Sequence, residues 1–557
     1  MGSSYSVENT ITYKLPELAG NHFDVMVGQA WNSSSWGNSL SVDNSVTEDT
    51  KLSLLTDFDH AWITNVANNT ETVSISGEPW GESHLSSFFG RLNWDLNETY
   101  MATVVLRRDG SSNFAEGHRW GTFPSVSAGW VITNNSFMES TKEVLNFLKL
   151  RASWGQNGNC NIANFQYLAT VASDQANSYK FSDDESATVT VTSANYGAYA
   201  NIIPNPDVTW ETSEQINVGL DARFLDSRLG LTFDWYKKTT KDWLIQAPVL
   251  DVMGTNAPYI NGGDVENKGV EFDINWRDDI NDNVSYHVDF NGAFNKNEVT
   301  KIANLQGVVE GGQQLVLQNG FYTYRAQVGE PIGIFYGMST EGVWQNQAQI
   351  DQARANGKAV RDDARPGDLI WVDNDGDGVI DTDKDRHNIG NPNPKFTMGL
   401  SFGVDFYGFD FNVTTHGAFG QQILKAYRYA TNWNENYTTD IFNRWHGEGT
   451  SNKLPAMSST SSANTMTISD IMIEDGDYLK IQNVTLGYDL RKGFWQSCPL
   501  QSVRLYFQAQ NLYTFTKYTG CDPEIGSSAG ADSWAGGIDM GLYPSSRTYL
   551  VGLSVKF

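Results

Sequence analysis

The densest set of hard oxygen ligands in the chain lies in WVDNDGDGVIDTDKDR, Trp371–Arg386. With Asp373 as the first loop position, carboxylates recur at alternate positions as Asp373, Asp375 and Asp377. Gly378 follows where a sharp turn is needed, Val379 offers a backbone carbonyl, Ile380 is placed to point inward, and Asp381 comes next. Hard oxygens at this spacing surround a hard divalent cation, as in EF-hand calcium loops. The pattern departs at the last position, where an acid is expected and Lys384 stands. Asp385, one residue later, or Asp383 supplies the final carboxylate if the loop bulges. Two outcomes stay open: a Ca2+ site that rigidifies a loop, and a solvated acidic turn holding no ion. Carboxylates this close repel one another without a cation.

A second chemistry belongs to tryptophans. Trp31, Trp36, Trp80, Trp344 and Trp433 fall in polar segments read as loops, where an indole can stack on the apolar face of a sugar ring. Interfacial anchoring or loop packing accounts for the same residues. The eight His form no HExxH or close pair, and no Ser/His/Asp arrangement stands out, so no enzyme activity is expected. Cys160, Cys498 and Cys521 are too few and too scattered for a disulfide framework or a metal site.

The frame that must hold these groups is all-β. Aromatics make up 13% of the 557 residues, with 51 Gly against only 15 Pro, a balance that suits many strands and tight turns. A soluble glycan-binding β protein shares that composition. The net charge of -27 argues against nucleic acid as a partner, because phosphate binding needs a basic face. No apolar run is long enough for a membrane-spanning helix.

Apolar residues alternate with polar or small ones along segment after segment, a period of two that puts them on one face of a strand. Ile216, Val218, Leu220, Ala222 and Phe224 turn at Leu225–Arg228 into Leu229, Leu231, Phe233 and Trp235, with Asn217, Asp221, Thr232 and Asp234 between them. Val270–Trp276 with Val284–Phe290, Met398–Phe406 with Phe409–Val413, and Val484–Tyr488 with Val503–Ala509 repeat the pattern. Short turns at one end and long polar connections at the other are the mark of an antiparallel transmembrane β-barrel with its long loops extracellular. Counting a hairpin around Val328–Pro331, the alternation predicts about 17 strands. The last segment, Ser545–Phe557, alternates Tyr549, Val551, Leu553, Val555 and Phe557 against polar or small residues. Single-chain bacterial barrels normally have an even strand count. The odd count and the absence of a signal-peptide pattern predict a barrel incomplete at its front across residues 1–557, with Ser545–Phe557 on an open edge or paired near Ile11.

Seven stretches resemble, in order, the carboxy-terminal half of SusC-like (SusC/RagA family) TonB-dependent transporters of Bacteroidetes outer membranes. They are Leu106–Phe114 (LRRDGSSNF), Arg119–Trp130 (RWGTFPSVSAGW), Leu148–Asn159 (LKLRASWGQNGN), Gly263–Phe272 (GDVENKGVEF), Ile389–Leu400 (IGNPNPKFTMGL), Glu474–Tyr488 (EDGDYLKIQNVTLGY) and Gln510–Glu524 (QNLYTFTKYTGCDPE). The resemblance implies a 22-stranded barrel in the outer membrane. It further implies a plug pulled by TonB, a SusD-like surface lipoprotein over the mouth, and oligosaccharide or peptide as cargo. No TonB-box-like or plug segment is found in this sequence. A passive plugless porin and a soluble calcium-dependent glycan-binding protein are the alternatives.

Overall fold

A computed structural model describes residues 2–36, 39–45, 72–78, 81–172, 180–181, 195–196, 199–246, 254–311, 322–426, 438–457, 464, 468–493, 495–497, 499–526 and 534–557. Its frame is one antiparallel sheet of fifteen strands joined in chain order. They are β1 (Ser3–Lys14), β2 (Asn21–Trp36), β3 (Gly81–Leu96), β4 (Tyr100–Ser111), β5 (Trp120–Val131), β6 (Leu145–Asn159), β7 (Glu211–Phe224) and β8 (Leu229–Lys241), followed by β9 (Gly263–Asn281), β10 (Val284–Ile302), β11 (Phe396–Phe406), β12 (Phe409–Phe419), β13 (Tyr478–Asp489), β14 (Ser502–Thr516) and β15 (Thr548–Lys556).

Residues paired across an antiparallel ladder share a face, so the register carries each strand's alternation into the next. Leu150 pairs with Leu220, Leu220 with Phe233, and Phe233 with Phe272, all on one face. One residue away, Arg151, Gly219, Asp234 and Glu271 pair in the same order on the other face. The first face is apolar and no described residue packs over its exposed side chains; Val218 is 47% exposed and Val551 73%. An uncovered apolar band of this extent belongs against lipid. Aromatic pairs run near both rims of the band. Tyr100 stacks on Trp130 at 6.2 Å and Phe409 lies tilted against Tyr488 at 4.4 Å toward the short turns, while Phe88 with Trp120 (6.1 Å) and Phe294 with Phe396 (4.5 Å) lie toward the long loops.

The short turns follow from local backbone chemistry. In the two-residue turn between β11 and β12, Tyr407 and Gly408 both take positive φ, 46° and 89°. That is the left-handed pair whose twist matches a hairpin. Between β5 and β6 the chain makes two 3-10 turns, Ile132–Asn134 and Ser136–Thr141.

One expectation needs correction. Among the described residues the wall has fifteen strands rather than about 17, because the hairpin around Val328–Pro331 is not part of it. Its strands Tyr324–Gln327 and Ile334–Gly337 join Val308–Glu310 and His387–Gly390 in a separate four-stranded sheet. These pieces are three or four residues long, with Tyr324, Ala326, Ile334 and Phe335 fully buried within protein, so they have no lipid face to show. Ser545–Phe557 does supply an edge strand. Among the described residues β15 pairs only with β14 and β1 only with β2, and the two edges do not pair with each other.

The long connections pack on one another. A core of Tyr324, Phe335, Leu424, Ile468, Ala535 and Ile538 draws on three of them. Lys425 clamps the same region, donating to Asp440 at 3.0 Å, Glu474 at 3.4 Å and Thr519 at 2.6 Å. Lys480, on β13, is buried against Glu524 and lies 3.8 Å from Asp522, which pins the connection before β15 to the wall.

Candidate functional site

The carboxylate loop hangs between the buried strand Leu369–Trp371 and His387–Gly390, in the connection between β10 and β11. Ile380 anchors it, packing against Met338, Val343, Leu369 and Trp371. Gly378 takes φ 86° with open space around it, so backbone conformation rather than room selects glycine there. Asp373 turns inward and accepts from the backbone of Gly376 at 2.7 Å and of Gly378 at 2.9 Å. Asp375 and Asp377 accept from Asp377 and Val379 in turn. Three carboxylate oxygens, one each from Asp373, Asp375 and Asp377, come within 4.8 Å of one another.

The remaining expected ligands behave differently. Asp381 spends one oxygen on the amides of Asp383 and Lys384. Asp385 is 1% exposed and stands outside the three-carboxylate group. Its oxygens accept from Asn374 at 2.8 Å and Asp381 at 2.9 Å, so it ties the two ends of the loop together. Val379 is exposed, and its amide rather than its carbonyl has a hydrogen-bonding partner in the loop. The departure noted in the sequence has a direct consequence. Lys384 Nζ lies 2.6 Å from Asp377 Oδ2 and 3.8 Å from Asp381 Oδ2, a built-in cation among the acids. Its hydrogen bond holds the Asp377 carboxyl below the usual range and raises the Lys384 ammonium in turn.

The tryptophans separate. Trp344 is 4% exposed and packs with Ile350 and Ile370, so its face is closed to a ligand; that expectation is corrected. The neighbours that bury it come from the helix α1 (Gln347–Ala355) and from the strand Leu369–Trp371. Trp31 and Trp36 lie within β2, not in a loop, because the strand extends to Trp36. Trp31 sits on the apolar face opposite Val7, edge-on to Tyr5 at 5.5 Å and stacked with His84 at 6.1 Å, the setting of an interfacial anchor. Trp36 is on the other face, over Gly81, and half exposed. Trp80 and Trp433 lie outside the described residues.

Sequence reasoning missed the wiring of the polar face. Arg151 on β6 donates to Asp221 at 3.0 and 3.2 Å and to Asp234 at 2.7 and 2.6 Å, joining three strands. Arg504 on β14 pairs with Asp410 on β12 across the strand between them. Arg107 pairs with Asp109 on its own strand at 2.8 Å. The polar alternation marked these positions, but partner choice depends on register between distant segments. A charged, hydrogen-bonded inner face behind a lipid-facing band is what a water-filled lumen requires.

The chain matches the family model described as "TonB dependent receptor-like, beta-barrel" over residues 2–512. TonB-dependent receptor P3 of Formosa agariphila is 32% identical over 512 residues, covering 89% of this chain and 48% of that protein. TonB-dependent receptor SusC of Bacteroides thetaiotaomicron is 30% identical over 481 residues, 85% of this chain and 44% of that one. Among solved structures, the RagAB peptide transporter superposes with a TM-score of 0.77 at 23% identity, covering all of this chain and 55% of that one. The chain thus spans about half the length of the relatives it matches.

Proposed function

The chain belongs to the TonB dependent receptor-like β-barrel family, and from that premise we propose that it forms the wall, the extracellular loops and part of the substrate cavity of a SusC-like outer-membrane importer. The importer takes up oligosaccharides or peptides together with a SusD-like surface lipoprotein, and TonB drives it through a plug domain. The observation that carries this reading is the uninterrupted lipid-type face across all fifteen strands, backed by a polar face wired with ion pairs. SusC and RagAB, the relatives above, are named as a TonB-dependent receptor and a peptide transporter. The test is uptake of labelled oligosaccharides and peptides by cells carrying the intact gene, with and without dissipation of the proton gradient that powers TonB. Energy-dependent uptake, and recovery of a SusD-like lipoprotein with the purified protein, are the expected results. Uptake that survives loss of the gradient would instead mark a passive porin, and solubility without detergent would overturn the membrane assignment.

The Asp373–Asp385 loop is assigned, on the same footing, to structural Ca2+ on the extracellular side. The three converging carboxylates, the positive-φ Gly378 and the anchored Ile380 support it. The ammonium of Lys384 opposes it by competing for Asp377. Ligand charge sets affinity in such loops. Titration calorimetry should therefore show weak Ca2+ binding in the wild type, about tenfold or more tightening in Lys384→Glu, and loss in Asp375→Asn. No heat in either the wild type or Lys384→Glu would leave the loop as an acidic turn closed by its own lysine.

A further inference from the structure

On the long-loop side of the apolar band, the outward face of β8 to β10 carries a row of lysines. Trp235 pairs with Val270 and Val270 with Phe294, the last apolar row before the loops, and the rings of Trp235 and Phe294 are exposed. Two residues further along each strand, Lys237 pairs with Lys268 and Lys268 with Lys296. Residues paired across a ladder share a face, so three ammonium groups stand side by side on adjacent strands, directly above the aromatic edge. Like charges placed opposite each other work against strand pairing. The wall carries that repulsion at the level where lipid headgroups begin.

The next row toward the loops answers part of this charge. It runs Glu214, Thr239, Glu266 and Glu298 across β7 to β10. Glu266 takes Lys237 at 2.7 Å and Lys268 at 3.1 Å, and Glu298 takes Lys296 at 2.8 Å. Glu214 turns instead to Lys241, at 2.6 Å. Among the described residues, the three lysines of the row thus share two carboxylates, and their side chains stay 43%, 47% and 66% exposed. Ion pairs this open to solvent hold weakly. A lysine at such a place lays its stem along the apolar surface and lifts its ammonium toward the polar layer, where it can exchange one anion for another.

Position decides what meets the row. It continues the lipid-facing band by a single ladder step, so its neighbours are the headgroups of the leaflet on the long-loop side. A phosphate on such a headgroup complements adjacent ammonium groups, and an anionic lipid surface attracts lysines held beside it. A soluble protein would have to press an acidic segment down to the hydrocarbon edge to reach the same groups. We propose that Lys237, Lys268 and Lys296 dock a phosphate-bearing lipid headgroup of the outer leaflet against the outside of the wall. Glu266 and Glu298 hold the row together and compete with the lipid for the same ammonium groups. The contact lies on the face opposite the lumen, so it goes beyond the import reading and involves no cargo.

The test titrates the intact protein, in a neutral detergent, with lipid A, with the same lipid stripped of its phosphate, and with inorganic phosphate, and counts bound molecules by native mass spectrometry. Lipid A should bind, and bind less as salt is raised. Lys237→Gln, Lys268→Gln and Lys296→Gln together should weaken it about tenfold or more. Glu266→Gln combined with Glu298→Gln should tighten it, because the competing carboxylates are gone. The two sets change the same rows with opposite signs, so a folding defect cannot imitate both. No binding of lipid A, wild-type affinity in the lysine variant, equal binding of the stripped lipid, or binding of inorganic phosphate alone overturns the proposal. So does a second copy or a soluble protein held on the row in place of lipid. Uptake by cells tests the import reading separately: it can fail while lipid A binds, and the row can fail while uptake continues.

Discussion

Arg151→Met is expected to lower the stability of the folded barrel by about 2–3 kcal/mol, read as a shift in the urea midpoint of the intact protein in detergent. Arg151 holds two carboxylates at once, Asp221 on β7 and Asp234 on β8, through four hydrogen bonds of 2.6 to 3.2 Å. Gly219, opposite both Arg151 and Asp234, makes room for the reach; a Cβ there would stand 2.6 Å from the guanidinium carbon. Removing the cation leaves Asp234, 8% exposed, without its charge partner. A fully buried broken pair costs about 3–5 kcal/mol. The Arg151 side chain is 32% exposed to the lumen, which places the expected loss below that range. Adding Asp234→Asn to Arg151→Met should return half or more of it, because the second change removes the stranded charge. A single variant within about 0.5 kcal/mol of wild type, inside the scatter of ordinary surface substitutions, would show that lumen water already satisfies both acids.

The contrast between what alternation predicts and what it cannot is clearest in neighbouring residues. The outward set Ile216 to Phe224 and the inward set Asn217 to Asp221 were legible because side-chain polarity there has a period of two and needs no knowledge of partners. That Asp221 meets Arg151, rather than water, depends on the register of β6 against β7, which is set over the whole strand. Trp344 was misread for the same reason. A tryptophan in a polar connection looks exposed until α1 and the strand Leu369–Trp371 fold over it, and those contacts have no periodic signature. The hairpin around Val328–Pro331 imitates a wall strand because a short piece buried on both sides also alternates briefly. In the carboxylate loop, spacing gave the positions of Asp373, Asp375, Asp377 and Ile380. It marked Lys384 as a departure too, but only the fold shows the ammonium seated on Asp377.

Leu220→Arg tests the lipid face and should destabilise the barrel by about 2–4 kcal/mol. The outward residues of β7 run Ile216, Val218, Leu220, Ala222, Phe224. At one end Ile216 pairs with Trp154; at the other Phe224 pairs with Leu229, which in turn pairs with Trp276. Those aromatics mark the two interfaces, so Leu220 lies near the midplane, where a cation has neither water nor headgroups within easy reach. Asn217→Arg is the matched control. It introduces the same side chain in the same strand three residues away, but onto the face shared with Ser153 and Tyr236, which meets the lumen. It should cost under about 1 kcal/mol and leave membrane insertion intact, since lumen positions tolerate charge. The difference between the two variants is the informative quantity, because the helix or strand preference of arginine cancels. Equal stabilities in detergent, with equal recovery in the outer-membrane fraction, would mean that the apolar face is covered by protein and that the fifteen strands are not a membrane wall.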